Sequence, residues 1–542
     1  MSQASENVDD LVKAHSEPEH PDPTGSRWDT WFGTLLATET RQRLWYWGAP
    51  AAVTLLAAGL RLWDLGNPHQ LVFDETYYVK DSYTLMHLGY ESSWPADADK
   101  NFNAGDTDIF TTTPSFVAHP PFGKWLISLG LSLFGAGNSV GWRISIAVIG
   151  ILAVVLIMLI ARKMFASTLV AVMAGFLMAV DGTAIALSRV ALLDNAVMFF
   201  ALLAFGAVLL DRDWQAARLA ALVFRRRQHG VDPGWGPVLW WRPWLVTAGI
   251  LLGLTSGIKW SGMYFLAAFG VYVVLVDAVA RRRLGIPYWF SAASLKQAPA
   301  TLLLMVPVAA LSYLATWTGW LVTSGGYYRH WVQDGGPAWG GVLAWVPVSL
   351  QNLWHYQAEM YNYHINLHTP HPYQANPLTW LLMTRPTSMY YAGDSGGTHG
   401  CAVDFCSSAI TSLGNPFIWW AAAAAALYLV YRLIRRREWQ VGLILTGLAA
   451  GYLPWMLYLN RTVFQFYTIA FEPYLVLGLA FTLWLILGKR ADVWWKRLRG
   501  IRLVGTYFIF VTLTAAFFYP LASGIQTPFW FWQIHMWLPG WR

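Results

Sequence analysis

Apolar stretches of near-membrane length alternate with short polar connections over almost the whole chain. A bilayer-spanning helix needs ~20 apolar residues. Runs meeting or approaching that length lie at 46–63, 142–161, 168–183, 193–210, 243–258, 261–279, 300–322, 416–433, 439–459, 466–487 and 503–521, which predicts eleven transmembrane helices. The apolar stretch 124–134 is too short to cross and predicts a helix lying along the interface or dipping into it. If it spans, the count becomes twelve and the parity changes. Residues 1–45 are polar, with no apolar core before Trp45, and predict a disordered tail ahead of a membrane domain at 46–542.

Composition agrees with this pattern. The 542 residues are 56% hydrophobic and 12% charged, where soluble domains carry about 25% charged residues. A net charge of +7 does not signal nucleic acid, because the basic residues cluster in short loops between apolar runs. With the N-terminus inside, most of the 37 Lys and Arg fall on the inner side, as at Arg162-Lys163, Arg225-Arg226-Arg227, Arg281-Arg282-Arg283 and Arg435-Arg436-Arg437. That arrangement predicts eleven spans with the C-terminus outside. Two outer loops are then long, 64–141 with many acids and 323–415 rich in Tyr, Trp, His, Pro and Gly. Loops of that length are functional or disordered, and the aromatic density of the second predicts order.

Chemistry must come from the few polar residues outside the apolar runs. Asp74 and Glu75 stand just beyond the first span. One carboxylate in a partly dry site can accept a proton from an attacking hydroxyl; the bland reading is a solvated pair. His119 and Lys124 bracket a Pro-Pro-Phe-Gly segment, where Lys124 either snorkels or holds a lipid phosphate. Arg189 and Asp194 occupy the outer turn between the third and fourth spans, paired with each other or serving a ligand. Lys259, between two spans with almost no loop, and Arg461 add positive charge where basic residues are scarce, and such cations suit phosphate. His355, His364, His368 and His371 lack good metal-ligand spacing. Cys401 and Cys406 form either a small disulfide-closed loop or two free thiols.

Taken together, these segments resemble the protein O-mannosyltransferase family, most closely its bacterial, actinobacterial-like members. The motifs are FDE at 73–75, HPPFGK at 119–124, SRVALLDN at 188–195, GIKWSG at 257–262, HPYQANPLTW at 371–380, RPTSMYY at 385–391 and FQFYTIAFEPY at 464–474. Their order and spacing cover nearly all the chain beyond the tail. The resemblance implies an all-α polytopic glycosyltransferase fold of the GT-C type with eleven spans. It implies a polyprenyl-phosphate mannose donor and Ser or Thr acceptors on exported polypeptides, met at the Sec translocon, in the cell membrane with the active site outside. Carried over by motif, Asp74 becomes the general base, with Glu75 orienting base or substrate. Arg189, Lys259, Lys124 and Arg461 become candidates for the donor phosphate, and His119, Asp194, Tyr373, Arg385 and Glu472 for substrate. No cofactor is required by it, and a divalent metal is left open. The β-trefoil insertion of eukaryotic members is absent from the second outer loop. Rival readings are transfer of another lipid-linked sugar to a lipid or glycan, and a transporter, which would gather ionisable residues near the midplane.

Overall fold

The computed structural model describes residues 26–232, 234–490 and 492–542; residues 1–25 of the predicted tail lie outside the described residues. A helix stands at every predicted span. They are α2 (Glu39–Leu62), α6 (Ser139–Phe165), the pair α7 (Thr168–Ala179) and α8 (Gly182–Arg189), α9 (Asp194–Gln228), α10 (Pro243–Ser256) and α11 (Gly262–Arg283). Then come α12 (Trp289–Thr316), α14 (Pro416–Arg436), α15 (Trp439–Tyr452), α16 (Glu472–Leu487) and α17 (Trp494–Ser523). By length and composition, seven of the described helices can cross a membrane, or eight if α7 and α8, bent by 60°, count as one span. Of the others, α10 has 14 residues and α16 has 16. At 1.5 Å per residue these reach about 21 and 24 Å, short of a ~30 Å hydrocarbon layer, so adjoining turns must complete any crossing.

The stretch 26–45 departs from the expected tail. Ser26 caps a nine-residue helix, α1 (Arg27–Leu35), and Asp29 ties it to Arg497 at 2.8 Å. Its apolar residues form one face rather than a run, so a search for span-length hydrophobicity passes over it.

Polar residues set the breaks. Asp181 caps α8 by accepting from the Thr183 and Ala184 amides, which closes the bend after α7. The buried Arg61 guanidinium donates to the Met178 and Ala179 carbonyls at the end of α7. Helices α10 and α12 approach closely because a Cβ on Gly253 would lie 2.2 Å from the Ala309 carbonyl. At the far end, Arg242 sits buried between Asp211 and Asp277, joining α9, α10 and α11.

The first long loop, 64–141, carries α3 (Glu75–Leu88), α4 (Ala98–Asn103) and α5 (Phe122–Phe134). Helix α5 has 13 residues, about 20 Å, too short to cross. The second long loop, 323–415, is ordered, with α13 (Val348–Ile365) and a hairpin of β1 (Thr387–Ser395) and β2 (Phe405–Ser412). Strand β2 also pairs with β3 (Thr527–Pro528), giving the antiparallel order β1-β2-β3. The all-α expectation therefore holds for the helical layer and not for this cap. Strands β1 and β2, of nine and eight residues, are rich in Ser and Thr, and they give no apolar alternation for a sequence reading to register. Cys401 and Cys406 are bonded to each other near the hairpin tip.

Candidate active site

Asp74 is held where a strained backbone meets a helix start. Phe73 takes φ +48°, a conformation that costs a non-glycine residue of order 1–3 kcal/mol. Its ring is clamped edge-on by Phe464 at 5.9 Å, Phe466 at 5.7 Å and His371 at 6.3 Å. Asp74 is the N-cap residue of α3, yet its side chain makes no cap hydrogen bond, so the carboxyl is not spent on a backbone amide of the helix start. Burial pushes that carboxyl up to about 6, against the pull of Lys259 and a hydrogen bond from Tyr78, with Asp194 adding repulsion. The same burial, reinforced by the Asp74 and Asp194 charges, raises the Tyr78 phenol well above its usual value and keeps it a donor.

Beside it opens a cavity walled by segments of both long loops and by helix ends. His119 comes from the first loop, Asp194 from the start of α9, Lys259 and Trp260 from the α10–α11 turn, and Tyr264 from the start of α11. Tyr361 and His364 come from the end of α13, and Trp455, Tyr458, Arg461 and Tyr467 from the segment between α15 and α16. Lys259 Nζ bonds Asp194 Oδ2 at 2.7 Å and lies 5.1 Å from the Tyr467 ring centroid. His119 is held neutral, its pKa driven well below the ordinary value by burial and by Lys259. Its Nδ1 is buried without a hydrogen-bond partner, as is Nε of Arg461. Two cations, a shielded acid and unpaired nitrogens in one aromatic cavity suit an anionic headgroup joined to a polar ring.

Of the residues singled out from sequence, His119, Asp194, Lys259 and Arg461 wall the cavity, and Asp74 sits within electrostatic reach of Lys259 and Asp194 without lining it. The others are engaged elsewhere. Glu75, expected beside the base, is fully buried and accepts from Arg143 at 2.8 and 2.9 Å and from the Val72 and Ala191 amides. Four donors saturate it, so it fixes the backbone under Asp74 and does not reach the cavity. Arg189 spends both terminal nitrogens on carbonyls of Arg61, Trp63 and Asp64 and on Ser523. These carbonyls lie at the C-terminal ends of α2 and α17, where the helix dipole attracts a cation. Lys124 is neutralised by Glu91 at 2.6 Å and Asp81 at 3.5 Å. Arg385 donates to the Pro372, Gly540 and Arg542 carbonyls, pinning the C-terminus, and stacks over Tyr373 at 5.4 Å. Tyr373 neighbours His371 but is not among the residues walling the cavity. Glu472 is buried beside Arg61 and Asp181, behind the cavity wall.

Sequence reasoning missed Tyr78, Trp260, Tyr264, Tyr361, His364 and Tyr467. Tyr361 and His364 are three apart on a helix and so share a face. In the sequence the four loop histidines are legible only as potential metal ligands. Among the described residues no three His, Cys, Asp or Glu gather for an ion.

A solved structure shares this fold. The Saccharomyces cerevisiae protein O-mannosyltransferase Pmt1-Pmt2 complex bound to the sugar donor superposes with a TM-score of 0.66 at 15% identity, covering 97% of this chain and 96% of that one. The fold is that of membrane glycosyltransferases of the GT-C type. Family profiles agree: "C-terminal four TMM region of protein-O-mannosyltransferase" matches residues 349–541, and "Dolichyl-phosphate-mannose-protein mannosyltransferase" matches 118–224. The polyprenol-phosphate-mannose–protein mannosyltransferase of Mycolicibacterium smegmatis is 34% identical over 92% of this chain and 93% of its own length. That of Mycobacterium tuberculosis is 33% identical over 92% of both. The chain belongs to the family of polyprenol-phosphate-mannose–protein mannosyltransferases.

Proposed function

We propose that this protein transfers mannose from a polyprenyl-phosphate mannose to Ser or Thr hydroxyls of polypeptides at the outer face of the cell membrane, with its N-terminus cytoplasmic. The observation that carries the reading is the pairing of a partly buried, uncapped Asp74 with the Lys259–Arg461 cavity next to it. The donor phosphate lies against Lys259 and Arg461, and the prenyl chain runs between helices. The acceptor oxygen attacks the anomeric carbon as Asp74 takes its proton. The carbon–oxygen bond to phosphate breaks, and polyprenyl phosphate leaves with the electron pair. One displacement inverts the anomeric configuration. Cations beside the leaving phosphate stabilise the charge that grows there in the transition state.

Glu75 and Arg143 hold the backbone that presents Asp74, and His119 and Asp194 line the sugar side of the cavity. Acceptors are exported polypeptides, met as they leave the Sec translocon. The test is transfer from labelled polyprenyl-phosphate mannose to a Ser/Thr-Pro-rich peptide, with and without chelator, on wild type and Asp74→Asn. Transfer to a lipid or glycan with none to peptide would replace the acceptor class. Reporter fusions placing 64–141 in the cytosol would overturn the orientation.

A further inference from the structure

Arg461 reaches the cavity from the segment between α15 and α16, so something else must aim it. Its Nη2 lies 3.0 Å from His364 Nδ1, and its Nε has no partner. On the other side of the imidazole, Nε2 lies 2.7 Å from the Ala118 carbonyl. A carbonyl only accepts, so Nε2 carries the proton and Nδ1 is left to accept from the guanidinium. Burial and the Arg461 charge push His364 down to about 4, against the Ala118 bond, which keeps Nδ1 an acceptor at neutral pH. The ring stacks on His119 at 5.1 Å and 29° and tilts against Trp260 at 6.2 Å.

We propose that His364 is a positioning residue that aims the Arg461 guanidinium at the donor phosphate. This rests on the reading of Arg461 as a phosphate ligand given above. Both ring nitrogens are already engaged, so His364 acts through Arg461 and not on the sugar. It also joins three outer segments, because Ala118 directly precedes the His119-Pro120-Pro121 turn and His364 lies near the end of α13. A role confined to tying these segments together would need only the Ala118 bond or the ring, and the variants separate the two.

The experiment measures donor KM and acceptor KM on the purified full-length protein with labelled polyprenyl-phosphate mannose and a Ser/Thr peptide. His364→Asn keeps an acceptor oxygen near the Nδ1 position. His364→Gln keeps a donor near Nε2, and His364→Phe keeps the ring. His364→Phe and His364→Gln are expected to raise donor KM about tenfold, leaving acceptor KM unchanged, while His364→Asn recovers most of that loss. Arg461→Gln should raise donor KM similarly, with His364→Phe adding little in that background. Wild-type donor KM in His364→Gln, or His364→Asn no better than His364→Gln, overturns the proposal. If Arg461→Gln leaves donor KM unchanged, the phosphate reading of Arg461 itself falls. Should His364→Phe fail to fold, the Asn and Gln pair decides.

Discussion

Replacing Asp74 by Asn removes the proton acceptor and little else. The side chain makes no cap bond to α3, and Asn has nearly the same shape. General-base assistance contributes typically 10²–10⁴-fold, about 3–5 kcal/mol in the barrier at 1.36 kcal/mol per factor of ten, so kcat should fall by that range while donor KM changes little. Stability should move the other way. Burial raises this carboxyl from 3.8 to about 6, so the folded state disfavours its ionised form. The resulting cost appears as pH rises from about 4 to 6 and is complete at pH 7, at most about 3 kcal/mol at 1.36 kcal/mol for each tenfold step. Asp74→Asn should therefore be as thermally stable as wild type at pH 7, or more so. In wild type the acid limb of kcat/KM should fall tenfold per pH unit below about 6 and level off above it, and this limb should vanish in the residual activity of the Asn variant. The assay is initial-rate mannose transfer from pH 4.5 to 8, with thermal unfolding on the same preparations. Asn activity above about a tenth of wild type, against the ≥10² loss expected of a general base, would refute Asp74 as base. So would an unchanged acid limb.

Glu75→Leu leaves the buried Arg143 without its carboxylate, and losing one partner of such a pair costs about 3–5 kcal/mol; the expected result is a sharply lowered unfolding temperature, checked by thermal scanning in detergent. Lys259→Gln should raise donor KM about tenfold through loss of a charged hydrogen bond, whereas Arg189→Gln should lower stability and leave donor KM alone, as saturation kinetics on both variants would reveal. Cys401→Ser with Cys406→Ser opens a small loop worth about 2 kcal/mol of chain entropy. Neither cysteine walls the cavity, so transfer should persist while limited proteolysis cuts the hairpin tip sooner.

The apolar runs determined the helical layer, because the bilayer leaves so few alternatives for a backbone whose polar groups must be satisfied internally. The scarcity of ionisable residues also made Asp74, Lys259 and Arg461 stand out before any coordinates. Composition could not say which polar residues face the cavity and which hold the frame. Glu75 and Arg189 look as functional in sequence as their neighbours, yet one is saturated by Arg143 and two amides and the other by helix-end carbonyls. Hydrogen-bond partners 68 and 128 residues away in the chain decide this, and no local pattern carries that information. His364 makes the same point in reverse: an unremarkable loop histidine acquires its tautomer and its partner only when Ala118 and Arg461 are folded against it.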